Sequence, residues 1–335
     1  MQQEATFVLW DFANIWAMLG SNYPSLIWSV EGLTADLDGN GVVNMVDLAL
    51  FVEHWLDEGC QFPDWCSGCD LNANGNVDFV DYAIFADNIE VIPTPITWVY
   101  ISDPGVEGHE GFTGEMSKYE TTNDQYCQFL NTALASGDIT VGVDNIVYGA
   151  NGSNGGADFV GEVYFNTSNY ISHSQITWNG ASFSVGNHDS YDMSNHSVVE
   201  VNWYGATAFC NYYGYRLPTE WEWQAVADYD GSYTYGCGTT ISFAKANYYD
   251  SGYANPLNFS SYPYTSPVDH YSSYGYGMND MAGNVWEWTD SIYSGSSRVL
   301  RGGSWFNGDY SCSVSYRHYN DPSGTSYGLG FRVCR

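Results

Sequence analysis

The sequence predicts two units of different architecture: a small all-α module built on two oxygen-rich loops, then a larger, loop-rich domain mixing a few helices with short strands. Three observations predict this. Residues 36–47, DLDGNGVVNMVD, and residues 70–81, DLNANGNVDFVD, repeat one spacing of acids, amides and glycine. A proline-bearing stretch, VIPTPITWVY at 91–100, follows them and reads as a linker running into a strand. Beyond it, helical periodicity is confined to three segments, and residues 137–195 form a Gly/Asn/Ser-rich region with short strand-like runs. The boundaries that follow are 1–90 for the small module, 91–96 for the linker and 97–335 for the large domain.

Composition bounds the partners. The chain has 335 residues, and its 39 acids against 8 bases give a formal net charge of -31. Lys118 and Lys245 are the only lysines. No basic patch is available to neutralise phosphates, which excludes nucleic acid and anionic membranes as partners. No apolar run reaches transmembrane length, so membrane insertion is not expected. Apolar residues at 44% and aromatics at 17% still supply a large core, unlike a disordered acidic tail. The 29 tyrosines, with abundant Gly, Asn and Ser, fit an extracellular or cell-surface protein. Met1–Glu4 is not the basic start of a secretion signal, so the natural beginning is expected to lie upstream. Cys60, Cys66 and Cys69 cluster, and Cys127, Cys210, Cys237, Cys312 and Cys334 follow. The CxxC at 66–69 has no second CxxC or His pair beside it, so disulfides are expected before zinc. With three cysteines in one unit and five in the other, closing every thiol would need a bridge between units or between chains.

The two loops carry the spacing of an EF-hand-like site for a hard, oxygen-loving ion. In the first, Asp36, Asp38, Asn40, Asn44 and Asp47 stand at positions 1, 3, 5, 9 and 12, Gly41 supplies the turn, and Val42 offers a carbonyl. In the second the equivalents are Asp70, Asn72, Asn74, Asp78 and Asp81, with Gly75 at the turn and Asn76 as the carbonyl donor. Position 12 is Asp in both, shorter than the usual Glu. Two calcium ions are the expected cofactors. Apolar helices follow, DLALFVEHWL from 47 and DYAIFADNI from 81, so the repeats run over 34–56 and 70–89.

These loop-plus-helix repeats resemble the type I dockerin module. The resemblance implies recognition of a cohesin-type protein through positions 10 and 11 of each loop. Here those are Met45–Val46 and Phe79–Val80, not the hydroxyl and basic residues of cellulosomal dockerins. DFANIWAML at 11–19 looks like a third copy of the helix, which makes residues 1–20 a degenerate repeat without ligands. Its large apolar residues from Phe7 to Leu19 need a cover, from a neighbouring repeat or from another chain.

In the large domain, helices are expected over 119–134, 202–214 with Gly214 closing the end, and 218–226 with Pro218 at the start and acids in the first turn. Four segments, YETTNDQYCQFLN, VVEVNWYGATAFCNYYGYRLPTEWEWQAVA, YGMNDMAGNVWEWTD and RVLRGGSW…YGLGFRVCR, resemble in this order the formylglycine-generating enzyme, or sulfatase-modifying-factor, family. The resemblance implies an α+β, C-type-lectin-like fold. It also implies oxidation of a substrate cysteine with oxygen and copper, held by two thiolates after the GGS[WY] motif. The matching positions here are Asn307 and Cys312, so one soft ligand is absent and catalysis is not expected. Trp286 and Ser304 match active-site positions, and Gly328 replaces an Asn. The scattered histidines give no support to an iron-dependent relative. By the same resemblance, Asp280 and Glu287 with the carbonyls of Gly283 and Val285 form a third calcium site.

The expected protein is therefore a secreted, calcium-stabilised, non-catalytic module. It binds or assembles with copies of itself or with another extracellular protein, or holds a glycan. A copper oxidase and a dockerin-anchored carbohydrate-binding module are the alternatives.

Overall fold

The computed structural model describes residues 16–18, 24–26, 35, 37, 43, 45–61, 64–88, 95–105, 110–150, 159–167, 173–250 and 255–335. The chain divides into two compact units, Met1–Ile92 and Pro93–Arg335.

In the small unit, α1 (Met45–Glu53) and α2 (Phe79–Asn88) follow the two loops. Phe51 and Phe85, each fully buried, stack with centroids 5.1 Å apart and tie the helices together. Cys60 and Cys66 form a disulfide with Cα atoms 5.1 Å apart, while Cys69 stays a buried thiol. The 66–69 pair is therefore not a redox couple. The expected helix at 11–19 is corrected: Trp16–Met18 (β1) pairs antiparallel with Pro24–Leu26 (β2), Trp16 opposite Leu26. An apolar run without a clear 3.6 period also suits a strand, and a nearby partner strand decides it. The rest of residues 1–20 lies outside the described residues.

The large unit has five sheets' worth of short strands around three helices. A hairpin of β3 (Trp98–Asp103) and β4 (Phe112–Ser117) opens it. Helix α3 (Asn123–Ser136) starts later than expected, because Thr122 forms a capping box with Gln125 and Gly137 closes the end in a left-handed conformation. The Gly/Asn/Ser-rich region folds into β5 (Ile139–Val141), β6 (Ile146–Gly149) and β7 (Val163–Asn166) as one sheet, then hairpins β8 (Ile176–Trp178) with β9 (Phe183–Val185) and β10 (Asn187–His188) with β11 (Tyr191–Asp192). Helix α4 (Trp203–Tyr212) is capped by Asn202, and Gly214 lies just beyond it with φ 70°. Helix α5 (Glu220–Asp228) begins at a Thr219–Glu222 capping box, with Pro218 one residue before the cap.

The last sheet positions the site. β12 (Trp286–Ser294), β13 (Ser297–Arg301), β14 (His318–Asn320) and β15 (Leu329–Gly330) lie in the order β14-β13-β12-β15. β12 alternates as a strand must: Trp286 and Trp288 face the main apolar core, and Glu287 faces the other way toward Trp223 of α5. Tyr126, Phe129, Phe165, Phe209 and Phe331 meet edge-to-face or tilted in that core, gathering α3, α4, β7 and the C-terminal segment.

Candidate functional site: a cleft at the end of the C-terminal sheet

The loop after β13 turns at Gly302 and Gly303, both left-handed, and a Cβ on Gly303 would lie 2.7 Å from the Cys312 sulfur. This close approach requires glycine. It delivers Ser304 and Asn307 to the end of the sheet, beside Trp286 at the start of β12. Asn307 Oδ1 accepts from Trp286 Nε1 at 2.8 Å and from Ser304 Oγ at 2.6 Å. Two donors on one oxygen fix the amide's orientation. Gly328 faces Ser304 across the cleft, where a Cβ would meet the hydroxyl at 3.1 Å. Trp286, Phe306, His318 and Tyr327 wall a hollow of about 170 Å³ with Ser304 and Asn307 at its polar side.

Cys312, in a short 3-10 turn (Asp309–Cys312), is completely buried. Burial, with Cys237 beside it, pushes its thiol far above the ordinary range, and Cys237 itself is raised to about 11. A soft metal needs a thiolate. One carboxamide already spoken for and one buried, protonated thiol do not make a copper(I) donor set. The residues present do not fit that group.

At the expected third calcium site, Glu287 meets an arginine and a tryptophan. Both its oxygens are filled: Arg332 Nε and Nη2 donate at 2.6 and 2.7 Å, and Trp223 Nε1 donates at 2.7 Å. Glu287 and Arg332 are fully buried, and the acid balances the arginine's charge. Asp280 is also buried, and neither of its oxygens has a hydrogen-bond partner. Gly283 and Val285 lie in the same turn and donate their N–H groups to Gly302 and to Glu120. Glu120 in turn is bound by Asn284 and Ser197, and burial holds it well above the usual carboxylate range. Sequence reasoning missed this network of Glu120, Asn284 and Arg332. Its one local signal was a lone arginine inside the apolar run LGFRVC.

In the small unit, Asp47, Asp70 and Asp81 are completely buried. Asp70 accepts from the N–H groups of Asn74 (3.0 Å) and Gly75 (2.7 Å), and Asp81 from those of Asn72 (3.0 Å) and Asp78 (2.9 Å). Asp47 accepts from Leu37 N–H at 2.7 Å. Asn72 and Asn74 each bond a backbone N–H two residues on, which winds the loop. Burial raises the carboxyls of Asp70 and Asp81. The first 117 residues hold no lysine or arginine, so the small unit has no such side chain of its own to neutralise them. Buried acids with amide and carbonyl oxygens suit a hard cation. Among the described residues no three His, Cys, Asp or Glu side chains converge, so amides and carbonyls must complete any shell. Asp36, Asp38, Asn40, Val42 and Asn44 lie outside the described residues.

The chain belongs to the sulfatase-modifying factor enzyme 1-like domain family, which matches residues 110–335, and residues 34–90 match the dockerin type I domain. The large unit thus has the family's C-type-lectin-like α+β fold. The small unit is a dockerin, a calcium-binding class of module. Among relatives, the formylglycine-generating enzyme of Streptomyces coelicolor is 33% identical over 172 residues, 41% of this chain and 52% of that protein. The inactive C-alpha-formylglycine-generating enzyme 2 of Bos taurus is 35% identical over 147 residues, 40% of this chain and 48% of that protein. The crystal structure of CarF superposes with a TM-score of 0.49 at 20% identity, covering 72% of this chain and 98% of CarF. The chain spans between a quarter and about half of the length of the curated relatives it matches. Among the described residues no helix is long and apolar enough to cross a membrane.

Proposed function

We propose that this protein is an extracellular or cell-surface, calcium-stabilised, non-catalytic module that binds or assembles. The observation that carries the reading is the state of Asn307. Its oxygen is held by Trp286 and Ser304 where the family's chemistry needs a thiolate, and Cys312 is sealed below. Incubation with copper, oxygen and a peptide carrying Cys-x-Pro-x-Arg, followed by mass measurement, tests this. An unchanged peptide is expected, and the aldehyde mass would establish the oxidase instead.

Two calcium ions belong to the small unit in this reading, one per loop. Asp36, Asp38, Asn40, Val42, Asn44 and Asp47 supply the first shell, and Asp70, Asn72, Asn74, Asn76, Asp78 and Asp81 the second. The buried Asp47, Asp70 and Asp81 support it. Protein partners are supported by a different observation. Val52, Leu56, Phe79 and Val80 leave 56 to 75% of their surface exposed around a shallow apolar hollow on α1 and α2. Phe79 and Val80 stand where dockerins meet their partners. An apolar pair there suits another copy of this chain or another extracellular protein with an apolar face.

A further inference from the structure

Next to the cleft beside Asn307 lies a second hollow of about 400 Å³ lined by His173, Ser261, Tyr262 and Tyr264, whose rings touch those of Phe306 and Tyr327. The wall between them is aromatic. Tyr262 stacks on Tyr327 with centroids 5.6 Å apart, and Phe306 meets both edge-on at 6.0 and 5.5 Å. His173 closes on Tyr327 at 5.2 Å. These rings come from separate loops, and Phe306 keeps 43% of its surface exposed. A single exposed ring is ordinary, but here it joins a contiguous aromatic wall beside a cleft, which is the kind of surface that binds ligands.

Polarity and charge then select the ligand. With Oδ1 committed to Trp286 and Ser304, Asn307 Nδ2 makes no hydrogen bond among the described residues and offers two donors at the cleft. A free donor serves a ligand that carries acceptor oxygens and is useless to an ammonium group. Among the described residues no Lys, Arg, Asp or Glu lines either hollow. The overall charge of -31 repels sulfated, phosphorylated or uronic ligands. What remains is an uncharged molecule rich in hydroxyls with apolar C–H faces to lie on aromatic rings.

We propose that this groove binds a neutral glycan, one pyranose ring lying against the Phe306–Tyr327–Tyr262 wall and its hydroxyl oxygens accepting from Asn307 Nδ2. The proposal rests on the non-catalytic reading, since it reassigns to sugar recognition the position where a copper thiolate would stand. The altered position gives the site its donor: a thiolate offers none.

The test is titration of the full chain, in calcium, with a panel of neutral oligosaccharides (cellohexaose, mannohexaose, xylohexaose and galactohexaose) followed by calorimetry and tryptophan fluorescence, since Trp286 lines the cleft and the buried Trp305 packs against Tyr262 and Tyr327 of its wall. Saturable binding of at least one is expected. Asn307→Asp keeps the oxygen that Trp286 and Ser304 need and removes the donor. It should weaken that binding roughly ten-fold or more, and Phe306→Ala, at an exposed ring, should do the same. Each variant's melting curve checks that it folds. Absence of binding by the whole panel at millimolar sugar overturns the proposal. So does binding that both variants leave unchanged, or binding only of choline or of the cysteine-bearing peptide. An aldehyde in the copper assay sinks the non-catalytic reading. A failed glycan titration without aldehyde removes only this inference.

Discussion

At the scale of single residues, buried charge decides what the family motifs do here. Glu287 of GNVWEW and Arg332 of GFR neutralise one another with no exposed surface. Removing one partner strands the other, so Glu287→Gln should cost roughly 3–5 kcal/mol in denaturant unfolding. The same variant should leave the number of bound calcium ions unchanged by calorimetry. A lost ion would return Glu287 to the metal. His196 gives a pH prediction. Its Nδ1 lies 3.1 Å from Thr265 Oγ1, and His188, His270 and Asp192 are the charged or titratable groups near it. Burial lowers its pKa from the ordinary 6.5 to about 4. Above 6.5 the ring is neutral in both folded and unfolded chains. As pH falls from 6.5 toward about 4, the unfolded chain takes up the proton and the folded chain does not. Stability from this group is therefore complete above 6.5 and drops by up to roughly 3 kcal/mol over the window. His196→Gln should flatten that part of the stability profile. An unchanged slope would place the titration elsewhere.

At the scale of elements, local rules did most of the folding that could be read in advance. Thr122 and Gln125, and Thr219 and Glu222, satisfy each other's backbone at two helix starts. Thr122→Ala should lower stability by about 1 kcal/mol and fray the first turn of α3, visible in hydrogen exchange of Gln125. Unchanged protection of that amide would show that packing alone holds the turn. The Gly214 stop and the duplicated loops are written within a few residues and were legible, whereas the two capping boxes, equally local, went unread. The start of α3 was expected four residues too early because Tyr119–Thr121 is apolar and polar in a helix-like order. Thr121 N–H instead bonds Phe331 across the sheet end. The strand at Trp16–Met18 was misread for a similar reason: composition does not distinguish a helix from a strand whose partner lies six residues on. The cleft was half legible. Trp286, Ser304 and Asn307 follow from motif positions, but the aromatic wall joins Tyr262, Phe306 and Tyr327 from separate loops. No spacing in the sequence announces that meeting, just as none announces that Glu287 would meet Arg332.

At the scale of the whole molecule, charge and apolar surface set the conditions for association. A chain with a net charge of -31 repels its own copies, and repulsion between exposed charges weakens within about 10 Å at ordinary salt. On the proposed reading calcium acts twice, by neutralising the loop aspartates and by fixing the helices that carry Val52, Phe79 and Val80. Chelation should thus lower the melting transition of the small unit and leave that of the large unit in place, and Asp70→Ala should remove one bound ion. Calorimetry that finds no calcium bound to the chain would end that account. Burying three or four of the exposed apolar side chains against a second copy would contribute on the order of 5–10 kcal/mol before association costs. The earlier basis for assembly was a bare helix and unpaired thiols. The structure replaces the helix with a strand pair at 16–18, and buries every free cysteine among the described residues. Among the described residues of the small unit, the exposed apolar face on α1 and α2 is a surface that can serve. Sedimentation of the full chain in calcium should show concentration-dependent oligomers. Phe79→Ser with Val80→Ser should return monomers without shifting the melting of the large unit. A wild-type chain that stays monomeric at high concentration in calcium and salt would remove self-assembly and leave that face to a different extracellular protein.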